Sequence, residues 1–387
     1  MTACHEKRPV IACIAMIRDE ADVLPAFLGH VAELFDFALF VDHLSVDGSS
    51  ALLDRAAADW PRIKVWRLTA PGYWQSAVMT ALAREAFRRG AHWVVPLDAD
   101  EFLGVADRPA LEAQLFAAHS HVAFFRWRHA VTDDAVLEGH APLVWPLQKW
   151  LANASLGKPG QGKVALHRQT AEAFPQFLFS PGNHRLIPCP FAKPQTGPDS
   201  GTIWHLPVRT RQQFLTKLRR DLVSHAGRDG RAIAGMGAAR PVKQALLEKL
   251  LSAPADTDAL RKIALGYWEV GLDCLSPAIT LPPPIEMPPD FAMQPPIAKN
   301  APLNPQPVCG QDESPFNLDN VSMVVARLSG AALVVEPAGR MSQLAAMIEI
   351  WLEKHFTPGF RLARFLAGRW AAFRLAISRH DRLGQRK

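Results

Sequence analysis

Short apolar runs alternate with segments of helical periodicity through the first quarter of the chain. Residues 9–17 form an apolar run that ends in Arg18-Asp19-Glu20. Residues 21–34 then place Leu24, Phe27, Leu28, Val31 and Leu34 on one helical stripe. Strands are expected at 37–41, 63–68 and 91–97, with helices at 50–59 and 73–90 between them. Strands and helices in strict alternation predict a doubly wound, mostly parallel α/β sheet with right-handed crossovers.

After residue 110 the rhythm changes. A helix at 111–119 and a strand at 122–128 lead into short strands and long loops rich in aromatic, histidine and basic residues. Loops of that length inside a domain are commonly functional. A strand at 202–207 and a helix at 210–225 follow. Residues 242–251 and 258–270 read as helices, 276–315 as a proline-rich linker, and 321–335 as a hairpin turning at Ser329-Gly330. Helices at 342–355 and 360–379 complete the pattern. The organisation expected is a first domain at 1–225, a mainly helical extension at 226–275, a linker at 276–316, and a hairpin with basic amphipathic helices at 317–387.

The candidate chemistry centres on Trp93-Val94-Val95-Pro96-Leu97-Asp98-Ala99-Asp100-Glu101-Phe102-Leu103. An apolar run ending in acids reads as a buried strand that delivers carboxylates to the rim of the sheet, where α/β folds bind ligands. Asp98 and Asp100 point the same way only if the chain stays extended, and close carboxylates need a cation or a proton between them. No basic residue neighbours them in sequence. A hard divalent ion bridging phosphate oxygens suits such a pair. A solvated turn is the alternative.

Composition narrows the class. Of 387 residues nearly half are apolar and 21% charged, which describes a globular chain. Five scattered cysteines without CxxC spacing suggest neither a disulfide framework nor a zinc site, and point to a reducing compartment. The start of the chain lacks the pattern of a signal peptide, so a cytoplasmic location is expected. The net charge of +6 suits anionic partners, although a general arginine bias would give it too.

The series from Ile11 to Ser50, IACIAMIRDEADVLPAFLGHVAELFDFALFVDHLSVDGSS, followed by VVPLDADEFL, resembles the family 2-like bacterial glycosyltransferases of the GT-A fold, which act on nucleotide-diphosphate sugars. Gly182-Asn183-His184 and the run from His205 to Lys217 resemble the later motifs of that branch. The likeness spans residues 8–225 and implies a Rossmann-like GT-A sheet. Two departures stand out: the usual Arg-Asn-Glu is Arg18-Asp19-Glu20, and the usual acidic pair after the second strand is Asp42-His43. The Gln/Arg-x-x-Arg-Trp motif of processive synthases is absent, which argues for transfer of a single sugar.

The resemblance implies roles residue by residue. Asp42 would accept hydrogen bonds from the nucleoside, with an Asx turn or helix cap as its alternative. Arg18, Glu20 and Arg209 would lie at the donor and its phosphates, with surface salt bridges as the alternative for Arg18. Asp98 and Asp100 would hold Mn2+ or Mg2+ on the diphosphate, with Asp98 also at the donor, and His205 would add a ligand unless it is a core histidine. Lys217 would cover phosphates or carry solvated charge. His184 is the preferred catalytic base, against Glu172, Asp133 and Asp134. Trp127, Trp145, Trp150 and Trp204 would stack on sugar or fill the core. Partners expected are the nucleotide-sugar and a saccharide or lipid-linked acceptor, with no nucleic acid. Residues 360–379 interleave apolar residues with arginines, either as a docked helix or as a peripheral contact with the inner face of a membrane. Competing classes are a non-catalytic carbohydrate- or nucleotide-binding protein on the same fold, a metal-dependent phosphatase with an aspartate nucleophile, and a nucleotidyltransferase.

Overall fold

The computed structural model describes residues 8–69, 74–118, 121–141, 151–153, 162–187, 200–224, 239–252 and 257–266. The chain divides into two units, Met1–Val325 and Ala326–Lys387, and every described residue belongs to the first. The expected linker, hairpin and two C-terminal helices, with Trp145 and Trp150, lie outside the described residues.

The elements begin β1 (Ile11–Ile17), α1 (Leu24–Leu34), β2 (Phe37–His43), α2 (Ser49–Asp59), β3 (Ile63–Leu68), α3 (Gln75–Arg88) and β4 (Trp93–Pro96). They continue β5 (Glu101–Leu103), α4 (Arg108–Phe116), β6 (Val122–Val131), α5 (Asp134–Leu137), β7 (Leu151–Asn153), β8 (Gly162–His167) and α6 (Arg168–Ala173). Then come β9 (Leu178–Phe179), a 3-10 turn at Pro181–Asn183, β10 (Leu186–Ile187), β11 (Gly201–His205), α7 (Arg211–Ser224), α8 (Ala239–Ser252) and α9 (Thr257–Gly266).

The main sheet has strand order β3-β2-β1-β4-β8-β6-β11-β5, with β7 paired to β6. β3, β2, β1 and β4 are parallel throughout, as the alternating pattern predicts. β8 runs antiparallel between β4 and β6, which restores the direction of β6 and β11 to that of β4. The carboxyl ends of β1, β2, β4 and β11 therefore lie along one edge of the sheet.

Alternation along β1 builds a core on each face. Ile11, Cys13, Ala15 and Ile17 pack with Leu24, Phe27 and Val31 of α1 and with Leu111 and Leu115 of α4. Ala12 and Ile14 face Val78, Met79, Leu82 and Ala86 of α3 on the other side. A third cluster joins Val131, Phe214, Leu215 and Leu218 to Leu246 and Leu250 of α8 and Leu260 and Ile263 of α9. α1 starts with its apolar stripe at Leu24, three residues after the expected start at residue 21. Val23 and Leu24 N–H both close on the Glu20 carbonyl in a turn, and Pro25 occupies the first helical positions.

His30 ties α1 to β5. Its Nε2 accepts the Leu103 N–H at 2.9 Å, which only the neutral imidazole can do, and burial pulls its pKa down to about 3. A folded-state pKa below the unfolded value contributes stability that is full above the unfolded pKa of about 6.5 and is lost as pH falls toward about 3. Glu20 and Glu101, raised by burial, act in the opposite direction, so a comparison is needed to isolate His30. His30→Gln supplies an amide oxygen as acceptor and has no proton to gain. Its melting temperature is expected to fall less than that of the wild type between pH 6.5 and 4.5; parallel curves would show that His30 does not carry this effect.

Candidate active site

The acidic motif does not continue the strand. Asp98 to Glu101 form a turn between β4 and β5, closed by the Glu101 N–H on the Asp98 carbonyl (3.0 Å). The Glu101 carboxylate returns the bond, accepting the Asp98 N–H at 2.9 Å. The turn sends the two aspartates to different partners, so the extended geometry expected for the pair is not adopted. Asp98 Oδ2 accepts from Lys163 Nζ (2.7 Å) and Oδ1 from Gln75 Nε2 (3.1 Å). Asp100 Oδ2 accepts from Lys217 Nζ (2.6 Å) and lies 3.7 Å from Arg209 Nη1. Each carboxylate thus has a lysine that its sequence neighbours do not provide. Lys217, only 14% exposed, is not the solvated helix charge that its position also allowed.

Behind the turn lies a buried polar layer. Lys163, on β8, is fully buried and sits 3.2 Å from Glu101 Oε1 as well as on Asp98. Burial pulls its ammonium down, but Asp98 and Glu101 outweigh this and hold it above its ordinary value. Burial pushes Glu101 up to about 8 against the pull of Lys163. Trp127 Nε1 also donates to Glu101 Oε1, at 2.8 Å. Its indole stacks on His205 with centroids 4.5 Å apart and meets the His184 ring edge-on at 4.8 Å. Trp204, also a candidate for sugar stacking, is buried in the first core.

His205 ends β11 beside Asp100. Its Nδ1 lies 3.1 Å from Nδ1 of His129, so one ring donates to the other. Burial drives His205 well below its ordinary pKa and keeps it neutral. Its Nε2 is 3.8 Å from Asp100 Oδ1, too far for a hydrogen bond. Burial raises Asp100, but the cations of Lys217 and Arg209 more than offset that and hold its carboxyl well below the usual range.

The donor set can be tested for a divalent cation. When His205 donates from Nδ1, its Nε2 lone pair faces Asp100 Oδ1. Adjacent ligands about 2.1 Å from an octahedral ion lie about 3.0 Å apart, so at 3.8 Å the pair would have to close slightly to share one. Asp98 does not converge on that point. Among the described residues no group of three or more His, Cys, Asp or Glu side chains gathers as for a metal. The residues fit an ion that takes Asp100 directly, gains His205 when the pair closes, and fills its shell from phosphate oxygens and water, the habit of Mg2+.

The first loop is held from behind. Arg209, fully buried, grips Asp22 through Nε (2.6 Å) and Nη2 (2.9 Å), and its Nη2 also donates to Glu20. Burial lowers the Arg209 pKa, but Glu20 and Asp22 outweigh it and raise it above the ordinary value. The guanidinium expected at the phosphates is thus committed to the loop that carries Arg18. Arg220 donates to the Arg18 carbonyl (2.6 Å) and lies 3.2 Å from Asp19. Arg18 is partly buried, and burial and Arg220 lower its pKa. At the end of β2, Asp42 is buried; its Oδ2 takes Arg67 and Ser50 Oγ (2.5 Å), while Oδ1 has a longer 3.3 Å bond from the Ser45 N–H. Asp47 is the structural turn residue, accepting from the Ala21 N–H (2.9 Å) and the Ser49 N–H (2.9 Å).

His184 follows the 3-10 turn. Its Nδ1 donates to the Gly162 carbonyl at 2.6 Å, which leaves Nε2 as the acceptor of the neutral ring. Burial is the main reason its pKa is pulled down to about 4. The Gly182 N–H is held by Gln75 Oε1 (2.9 Å), the residue that also touches Asp98. Asn183, at φ +58°, is buried, and neither amide atom has a protein hydrogen-bond partner among the described residues. The rival bases have other roles. Asp133 caps α5 at the Val136 N–H (3.0 Å), Asp134 pairs with Arg261, and Glu172 is 65% exposed beside Arg168.

The sequence reading missed Lys163, Gln75, Asp22 and His129. Lys163 had a usable signal, a lone charge inside the strand-like Gly162-Lys163-Val164-Ala165-Leu166, where burial demands an ion partner.

The fold defines an α/β sheet with a largely buried polar cluster at the carboxyl ends of its strands, the end at which such sheets bind ligands. No protein-family model matches the chain, and no characterised protein matches it by sequence. Among solved structures, the chain is similar to the mannosyltransferase PcManGT from Pyrobaculum calidifontis in complex with GDP-Man and Mn2+. That likeness has 17% identity over 68% of this chain and 82% of that one, with a TM-score of 0.31. It is similar also to S. aureus TarS residues 1–349 in complex with UDP-GlcNAc, at 10% identity over 69% and 82% of the two chains and a TM-score of 0.31. A third likeness is to 4-diphosphocytidyl-2C-methyl-D-erythritol synthase, at 15% identity over 41% and 76% with a TM-score of 0.25. Overlaps this loose carry no functional weight, which leaves the side chains of the cleft to do so. No helix among the described residues is long and apolar enough to cross a membrane.

Proposed function

We propose that the protein is a metal-assisted GT-A glycosyltransferase that moves one sugar from a nucleotide-diphosphate sugar to a hydroxyl of a saccharide or lipid-linked acceptor, with inversion. The observation that carries this reading is the facing pair of Asp100 Oδ1 and neutral His205 Nε2, 3.8 Å apart at the edge where β4 and β11 end. A Mn2+ or Mg2+ ion held by that pair would neutralise charge growing on the leaving diphosphate. Asp42 Oδ1 retains capacity to accept from a nucleoside. Asp98, fixed by Lys163 and Gln75, presents its half-buried carboxylate to the donor rather than to the ion. His184 Nε2, unprotonated and oriented by Gly162, takes the proton from the acceptor hydroxyl as its oxygen attacks the anomeric carbon.

This division between the aspartates is testable. Asp100→Asn is expected to abolish Mn2+-dependent binding of nucleoside diphosphates and turnover together, and excess chelator should do the same to the wild type. Asp98→Asn should weaken donor binding while leaving a clear Mn2+ dependence. Calorimetry with UDP, GDP, ADP and CDP, with and without Mn2+, reads both; Mn2+-independent binding of all four by the wild type would rule the metal-assisted reading out.

A further inference from the structure

We propose that Trp127 is a positioning residue that couples the proposed metal ligand His205 to the proposed base His184, and is not a platform for sugar. The inference rests on the glycosyltransferase reading of the same cleft. Three contacts to three different elements fix the indole. Its N–H is taken by Glu101 at 2.8 Å, in the turn that carries Asp98 and Asp100. One ring face is covered by His205, with an interplanar angle of 24° and centroids 4.5 Å apart. His184 abuts it nearly perpendicularly, at 86° and 4.8 Å. The Lys163 ammonium lies 5.6 Å from the ring centroid, within cation–π range. A ring engaged in this way has little face left for a sugar.

The consequence for geometry is direct. β11 fixes the backbone of His205, and the His129 contact at 3.1 Å engages its Nδ1. The stack on Trp127 adds the orientation of the ring plane, and with it the direction in which Nε2 looks toward Asp100. His184 has its Nδ1 on Gly162 and its ring edge-on to the same indole. Because Glu101 holds the indole from within the acidic turn, a shift of that turn moves both imidazoles. Groups that orient metal-ligating imidazoles typically matter by ~10–100-fold in metal affinity, and small misplacements near a reacting group cost ~10²-fold in rate.

The test uses the full chain and two variants. Trp127→Leu removes the ring; Trp127→Phe keeps a ring against His205 and loses the bond to Glu101. In the metal-free protein, imidazole 1H–15N spectra of Trp127→Leu should show the resonances of both His205 and His184 displaced, assigned by His205→Ala and His184→Ala. The Mn2+ concentration for half-maximal nucleoside diphosphate binding should rise about 10-fold in Trp127→Leu, with Trp127→Phe recovering at least half of that on a logarithmic scale. Release of nucleoside diphosphate from nucleotide-sugar should show kcat reduced about 10²-fold, with little change in KM at saturating Mn2+. A folded Trp127→Leu in which only one imidazole moves, or in which Mn2+ half-saturation equals the wild type, overturns the coupling. Should Trp127→Leu fail to fold, an unchanged imidazole spectrum in Trp127→Phe does the same. A wild type that binds no nucleoside diphosphate with Mn2+ overturns the glycosyltransferase reading and this inference together. A wild type that binds, alongside variants that behave identically, overturns only this inference.

Discussion

Arg209→Ala is expected to cost about 3–5 kcal/mol of folding stability, the usual loss when one member of a buried ion cluster is removed. The guanidinium is fully buried and contacts Asp22 with two nitrogens, Glu20 with one, and Asp100 at 3.7 Å. Its removal leaves the buried Glu20 without its cation, while Asp22 still reaches water and Asp100 keeps Lys217. Glu20, already raised by burial, loses the cation that most opposes that rise and takes up a proton. Arg209→Lys keeps the charge but lacks the fork that spans Asp22, so it should recover only part of the loss. Urea unfolding monitored by tryptophan fluorescence measures both. A loss under about 1 kcal/mol for the alanine variant would place the cluster in the class of solvated surface pairs.

Gly182→Ala should lower turnover nearly as far as His184→Ala, whose loss is expected at ~10²–10⁴-fold. Gly182 has φ +75°, and a Cβ there would meet His184 Nε2 at 2.2 Å and Cδ2 at 2.6 Å. The methyl group both strains the backbone and drives the imidazole from its place. Binding of nucleoside diphosphate with Mn2+ should survive, since Glu101 still holds Trp127 against His205 beside Asp100. The pH profile separates the causes. His184 is held to about 4, so the unprotonated base persists well below pH 6 and activity should fall only as pH drops toward 4. An alanine that pushes the ring into water moves the fall back toward the free imidazole value of about 6.5. Wild-type-like turnover in Gly182→Ala would remove His184 from the role of base.

What the sequence made legible was local and periodic. The first seven elements, β1 through β4, follow from apolar runs and helical stripes, because each buries a face against its sequence neighbours. Asp98, Asp100, His205 and His184 were also singled out, and the sheet brings all four around the cluster of Glu101, Lys163 and Trp127. The parts not legible depend on distance. The turn from Asp98 to Glu101 hides within an apolar-acidic run, since β5 is only three residues long and pairs with β11 a hundred residues later. Arg209 looks like any basic residue near a phosphate motif until Glu20 and Asp22 are seen to reach it. Lys217 sits on a helix whose sequence does not reveal which face meets Asp100. Burial decides these cases, and burial of a charge depends on where its partner arrives.

The clasp between α7 and the first loop also bears on synthesis. A chain emerging from the ribosome can pair β1, β2, β3 and β4 early, because each new strand lies beside one already made. The loop at Arg18 to Asp22 and the acid at Asp100 must nonetheless wait for Arg209, Lys217 and Arg220, which are translated more than a hundred residues after Asp100. Until then the nascent chain carries unneutralised carboxylates at the rim of a half-built sheet, and α8 and α9 must still cover the apolar face of α7. A ribosome stalled before α7 would therefore display a partly folded sheet without a working cleft, so binding competence would arrive late and in a single step.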